Sequence, residues 1–206
     1  MKQGKIAESV LKRSIFKQLH LKRPDVLLAA GIGEDCAAFA VAEDEVAVIS
    51  ADPVIWEDSL DGRCAVHANL NDLAAGGAEP VGLMLTALLP PEIEEAQMRQ
   101  MVQMIAQECE PLQVQILGGH TEVTDAVKRP VVSIAAVGKA KKGMLSTTTG
   151  AKPGDDIVVT KWIALEATAK LARSRREALL SRYPRHLLDD AERFQQYFSV
   201  IPEAAT

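Results

Sequence analysis

No stretch of this sequence stays apolar for the roughly 20 residues that a bilayer-crossing helix needs, because glycine, proline or charge interrupts every run first. The opening MKQGKIAESVLKR is an amphipathic helix pattern and lacks the apolar segment of an export signal. These absences predict a chain that neither spans a membrane nor is exported. Basic residues are not in excess: 23 Lys and Arg stand against 28 Asp and Glu, and a net charge of -5 argues against a nucleic-acid partner. Cysteine is scarce. Cys36, Cys64 and Cys109 are odd in number, far apart and without CxxC spacing, which speaks against a disulfide framework or a cysteine zinc site and fits small reduced thiols in a cytoplasmic protein. The sequence also contains no Walker A motif, internal repeat or low-complexity tract.

What remains is globular. Of the 206 residues 48% are apolar and 25% charged, enough for one large domain or one domain with part of another. Apolar positions from Ile6 to Leu19 recur at helical spacing, so a surface helix is expected over residues 5–19, ending before Pro24. Short apolar runs at Val26–Ala30, Ala37–Val41 and Val46–Ala51 read as strands, and Gly62–Ala78 as a helix with small, closely packing residues. Val81–Leu89 reads as a long strand, followed by a helix that Pro91 opens. Gln113–Leu117 and Val131–Val137 are two further strands, with GGHTEVTD in the loop between them. KAKKGMLSTTTGAKPGD has the composition of a connector, after which Ile157–Thr160 reads as a strand and two helical segments follow. This divides the chain into a domain at 1–140, a linker at 141–154 and a short second unit at 155–206.

Four polar clusters fall where strands meet turns or helices: GIGEDC at 31–36, SAD at 50–52, ANLND at 68–72 and GGHTE at 118–122. Glu34, Asp35, Asp52 and Asp72 offer hard oxygen ligands beside glycines that admit close backbone approach, which suits Mg²⁺ with a nucleotide triphosphate. The competing role for acids beside glycine is to cap helices and close turns. Asp72 stands out because it interrupts a helical pattern of small apolar residues, where a carboxylate is costly without a cation or hydrogen-bond donors. His120 has no second His or Cys at ligand spacing, so a hydrogen-bonded loop histidine is the simpler reading beside phosphate or metal binding.

The order of the clusters is more specific than any one of them. GIGEDCAAF, SADPVIW, AVHANLNDLAAGGAEPVGLMLTALLP and LGGHTEVT together resemble the aminoimidazole ribonucleotide (AIR) synthase superfamily, whose fold is called PurM-like, and within it the hydrogenase-maturation HypE-like branch. The resemblance reaches to about residue 172, where GDDIVVTKWIALEATAKLA is similar to the opening of the family's C-terminal domain. It implies an α+β fold: an N-terminal ATP-binding domain with a mixed sheet flanked by helices, pairing into a barrel in a homodimer, then a truncated α/β C-terminal domain. It implies ATP and Mg²⁺ as cofactors near the dimer interface. Asp35, Asp52 and Asp72 would be the metal ligands, with Glu34, Asn69, Asn71, Gly118, Gly119, His120 and Thr121 close to the nucleotide.

Three departures matter. Glu34 replaces the first Asp of the family's usual pair, His120 stands where relatives carry an acid, and the chain stops at Thr206 without the family's full C-terminal domain or the cysteine tail of the HypE branch. The implied chemistry is ATP-dependent phosphorylation of a carbonyl or carboxamide oxygen on a small molecule or a protein tail. The alternatives are a thiamine-monophosphate kinase-like enzyme, or an inactive truncated module that only binds nucleotide or dimerises.

Overall fold

Val46, Val48 and Val54 pack toward the core while Ala47, Ile49 and Ile55, each one residue further on, are exposed, and this two-residue alternation makes Glu45–Ile55 the long strand β4. The computed structural model describes residues 4–32, 37–147 and 149–204. Before β4 come β1 (Gly4–Lys5), α1 (Glu8–Val10), β2 (Val26–Leu28) and β3 (Ala38–Phe39). After it come α2 (Ser59–Ala75), β5 (Glu79–Leu89), α3 (Glu95–Cys109), β6 (Gln115–Val123) and β7 (Val131–Lys141). The remaining helices are α4 (Leu165–Ser174), α5 (Arg176–Leu180), α6 (Arg185–Arg193) and α7 (Ile201–Ala204).

Five strands form one mixed sheet in the order β1-β6-β5-β7-β4, and β2 pairs with β3 in a separate hairpin. β5 and β6 are parallel, and α3 is the crossover that such a connection requires; the other pairs are antiparallel. The core lies between one sheet face and the α2–α3 layer, with Val66, Leu70 and Leu73 of α2 and Met98 and Ile105 of α3 against Val132, Ile134 and Ala136 of β7. α2 is covered on a second side too: Leu60 and Cys64 pack with Ala169 of α4 and Phe198. A helix covered on two sides carries buried apolar residues on more than one face, as Val66 and Leu70 on one side and Leu60 and Cys64 on the other do here. Its start is fixed by Asp58, which accepts the Leu60 N–H at 2.7 Å, while Asp61 accepts the N–H groups of Glu57 at 2.7 Å and Asp58 at 3.0 Å.

The structure corrects four expectations. The first helix does not begin at residue 5: Gly4 at φ +104° and Lys5 pair with β6, Ala7 is extended, and the helix starts at Glu8. It widens over Leu11–Ile15 and tightens over Phe16–Gln18. Pro91 does not open α3; Glu94 does, its N–H bonded to the Gln97 Oε1 at 2.9 Å. GGHTEV is not a loop but the second half of β6, paired to Met84–Leu89. Ile157–Thr160 is not a strand: Ile157 is 96% exposed, and no strand among the described residues pairs with this segment.

Candidate functional site

The edge strand β4 presents Ser50 and Asp52 on its helix-facing side, where α2 presents Asn69 and Asp72. Ser50 Oγ donates to Asp72 Oδ2 at 2.7 Å. Asn69 is fully buried; its Oδ1 accepts the Asp52 N–H at 3.0 Å and its Nδ2 donates to the Ala65 carbonyl at 3.0 Å. An edge strand has N–H groups with no ladder partner, and Asn69 satisfies one of them, tying α2 to β4 at this point. The carboxylates of Asp52 and Asp72 are themselves exposed. Asp72 thus bears no burial cost: the helical pattern suggested a buried acid, but α2 turns this position toward the sheet edge and water. Ser50 belongs to the SAD cluster but is not among the expected ligands; its place two residues before Asp52 on one strand face is the signal of its part here.

Gly118, Gly119, His120 and Thr121 lie on β6, three strand spacings from β4, roughly 14 Å away. Asp52 and Gly119 belong to one cross-sheet row, Asp52–Ile134–Leu85–Gly119, and Ile134 between them is fully buried. Within one chain the two clusters therefore remain separate. Gly119 has φ +145°, and a Cβ there would stand 1.8 Å from the Leu85 carbonyl oxygen, so the parallel pairing with β5 demands glycine. A Cβ on Gly118 would meet nothing nearer than the Met84 side chain at 3.4 Å. Alternation places His120 on the sheet face away from the helices, where its Nε2 and Glu122 Oε2 are 3.1 Å apart. Gly118 to Thr121 line a cavity of about 550 Å³ with Ile6, Leu11 and Phe16 of the N-terminal segment and Ala30 to Ile32 of the β2–β3 hairpin.

Asn71 is engaged by the chain itself: its Nδ2 donates to the Phe198 carbonyl at 2.7 Å and its Oδ1 accepts the Val200 N–H at 2.9 Å. Glu34, Asp35 and Cys36 lie outside the described residues. Among the described residues no three His, Cys, Asp or Glu side chains gather closely enough to hold a metal ion. Asp52 and Asp72 still fit Mg²⁺ by donor type, as exposed carboxylate oxygens on two elements that Ser50 and Asn69 lock together. Cys64 and Cys109 are buried, and burial pushes the Cys64 thiol up to about 12, so it is not a nucleophile at neutral pH. No helix among the described residues is long and apolar enough to cross a membrane.

Known proteins resemble this chain in sequence and in fold. A hydrogenase expression/formation protein of Methanocaldococcus jannaschii is 28% identical over 166 residues, covering 76% of this chain and 48% of its own length. Thiamine-monophosphate kinase of Escherichia coli is 33% identical over 154 residues, covering 70% and 45%. Carbamoyl dehydratase HypE of Cupriavidus necator is 30% identical over 154 residues, covering 71% and 43%. The chain thus spans less than half the length of these curated relatives. Among solved structures, thiamine-monophosphate kinase from Stenotrophomonas maltophilia superposes with a TM-score of 0.72 at 27% identity, over 97% of this chain and 64% of that one. A hydrogenase maturation protein HypE in complex with ATP, at 19% identity and a TM-score of 0.59, covers 71% of this chain and 43% of its own and shares the fold. The family described as AIR synthase related protein, N-terminal domain, matches residues 33–140, just over half of the chain. By that match this chain belongs to the AIR synthase-related family, with HypE-like hydrogenase-maturation proteins among its relatives.

Proposed function

We propose that the chain binds ATP with Mg²⁺ and takes part in the ATP-dependent phosphorylation of a carbonyl or carboxamide oxygen, in the manner of HypE-like proteins. The observation that carries this reading is the pairing of Ser50 with Asp72 and of Asp52 with Asn69, which sets two exposed carboxylates on adjoining elements. Asp52 and Asp72 would hold the metal, with Asp35 as the third ligand that the family resemblance implies. Bound there, Mg²⁺ supplies charge neutralisation to phosphate oxygens. The protein's own part is positioning: Ser50 orients the Asp72 carboxylate, Asn69 fixes the β4 backbone at Asp52, and neither carboxylate acts as a nucleophile.

The glycine strand of β6 would approach the nucleotide, with Gly118 leaving room for it. A single chain keeps β6 apart from Asp52 and Asp72, and this supports a homodimer in which the uncovered sheet faces meet and the nucleotide binds near the interface. Reduced, buried Cys64 and Cys109 are in keeping with a cytoplasmic protein. A second reading, a thiamine-monophosphate kinase-like enzyme, is supported by the kinase superposition that takes in 97% of this chain. The two readings differ in substrate and product, a carboxamide dehydrated to a nitrile against a phosphate ester phosphorylated to a diphosphate, and assays with each substrate class separate them.

The first test is calorimetric titration with a nonhydrolysable ATP analogue, with and without Mg²⁺, for the wild-type chain and for Asp72→Asn. Metal-dependent binding that the variant loses supports the site. Wild-type binding that ignores the metal, or no binding at all, overturns it.

A further inference from the structure

The β2–β3 hairpin is not part of the five-stranded sheet, and its surface is open to water, with Leu27 72% exposed. Strands of three and two residues do not hold a position by themselves. What fastens them is polar. The Arg23 guanidinium donates through Nε to Asp25 Oδ1 and through Nη2 to Asp25 Oδ2, each at 2.8 Å, and also reaches Glu79 Oε1 at 3.0 Å at the start of β5. Its backbone N–H donates to Gln115 Oε1 of β6 at 2.7 Å. From β7, Lys139 Nζ donates to Asp25 Oδ2 at 3.0 Å. The side chains of Arg23, Asp25 and Lys139 are only 13%, 18% and 18% exposed, so removing one charge leaves the others badly solvated. The Arg23 guanidinium and then Lys139 hold the Asp25 carboxyl well below the usual carboxylate range, against the opposing effect of burial.

Just past β2, Ala30, Gly31 and Ile32 line the cavity that Gly118 to Thr121 also line, whereas Arg23, Asp25 and Lys139 do not touch it. We propose that the Arg23–Asp25–Lys139 network is a positioning latch that holds the hairpin against β5, β6 and β7, so that nucleotide affinity at the cavity depends on residues that never contact the ligand. The inference rests on the nucleotide reading above. Its logic is that of a supporting shell: cavity-lining residues next to strands as short as β2 and β3 are as well placed as the contacts at the base of the hairpin.

The test combines hydrogen exchange with titration by a nonhydrolysable ATP analogue and Mg²⁺. Asp25→Asn and Lys139→Met are expected to speed exchange of the Val26–Leu28 and Ala40 amides and to weaken binding about tenfold, the lower end of supporting-shell losses. The thermal midpoint of the main sheet should move little, and Lys139→Arg, which keeps the charge, should restore both signals. If Asp25→Asn fails to fold, the two Lys139 variants decide the matter alone. Unchanged affinity in variants whose hairpin exchanges faster, or unchanged exchange, overturns the latch. A wild-type chain that does not bind the analogue instead overturns the nucleotide reading and this inference with it.

Discussion

Gly118 and Gly119 are neighbours in sequence but have different reasons to be glycine. At Gly119 the positive φ and the Leu85 carbonyl leave no room for a Cβ, so Gly119→Ala must push β6 away from β5. It should cost about 3 kcal/mol or more, read from the denaturant midpoint. At Gly118 the nearest atom to a new Cβ is the end of the flexible Met84 side chain. Gly118→Ala should therefore leave stability within about 1 kcal/mol and, if the nucleotide approaches this backbone, weaken binding of the ATP analogue; equal affinity would remove Gly118 from the site. Reading the sequence picked out both glycines but placed them in a loop, because a glycine pair beside His and Thr has turn chemistry and only the tertiary pairing with β5 shows the close approach. Asp52, Asn69 and Asp72 are legible in the sequence as a polar set, but not at element ends: Asp52 lies inside β4 and Asn69 inside α2. The role of Asn71 is not legible, since its partners Phe198 and Val200 lie 127 and 129 residues away in sequence.

At the scale of elements, α3 and β7 could be read from periodicity because each buries one repeating face, and α2 and β5 from runs of small and apolar residues bounded by glycine and proline, while the misread segments are those whose state depends on a distant partner. The N-terminal helix is the clearest case. Arg13 donates to Glu95 at 2.7 Å, and Ser14 donates to the same carboxylate, so α3 holds the first helical segment by a charge its own sequence does not reveal. The hydrogen bonds from Arg13 and then Ser14 hold the Glu95 carboxyl at about 2, below its ordinary 4.5. A depressed carboxylate contributes stability that is fully present above about pH 4.5 and is lost as pH falls through about 2. The stability difference between the wild-type chain and Glu95→Gln should therefore be largest at neutral pH and shrink toward zero near pH 2, measured by urea unfolding across that range. A difference that stays constant with pH would mean that the carboxylate is not what Arg13 and Ser14 recognise.

For the whole molecule the decisive feature is the sheet face away from the helices. Ile49 and Ile55 of β4 are 67% and 52% exposed, Ala51 and Pro53 lie between them, and Ala135 and Val137 of β7 continue the apolar surface. A solvated face of a mixed sheet is normally polar, and alternation that is apolar on both faces implies a second covering layer. A second copy fits this requirement and also the division of the candidate site, whose carboxylates on β4 and glycines on β6 one chain holds apart. The sequence resemblance implies a dimer; composition alone cannot, because apolar residues on the two faces of a strand count the same. Ile49→Glu would test it. In a face-to-face dimer each copy forfeits roughly 1.5–3 kcal/mol of apolar burial and places an unpaired carboxylate in the interface. The dissociation constant should then rise by about a thousandfold or more, read by sedimentation over a dilution series. Because Ile49 points away from the core, the fold itself should survive. If the wild-type chain and the variant both sediment as monomers, the face is not an interface between copies, and a site that needs both β4 and β6 would have to find its missing half elsewhere.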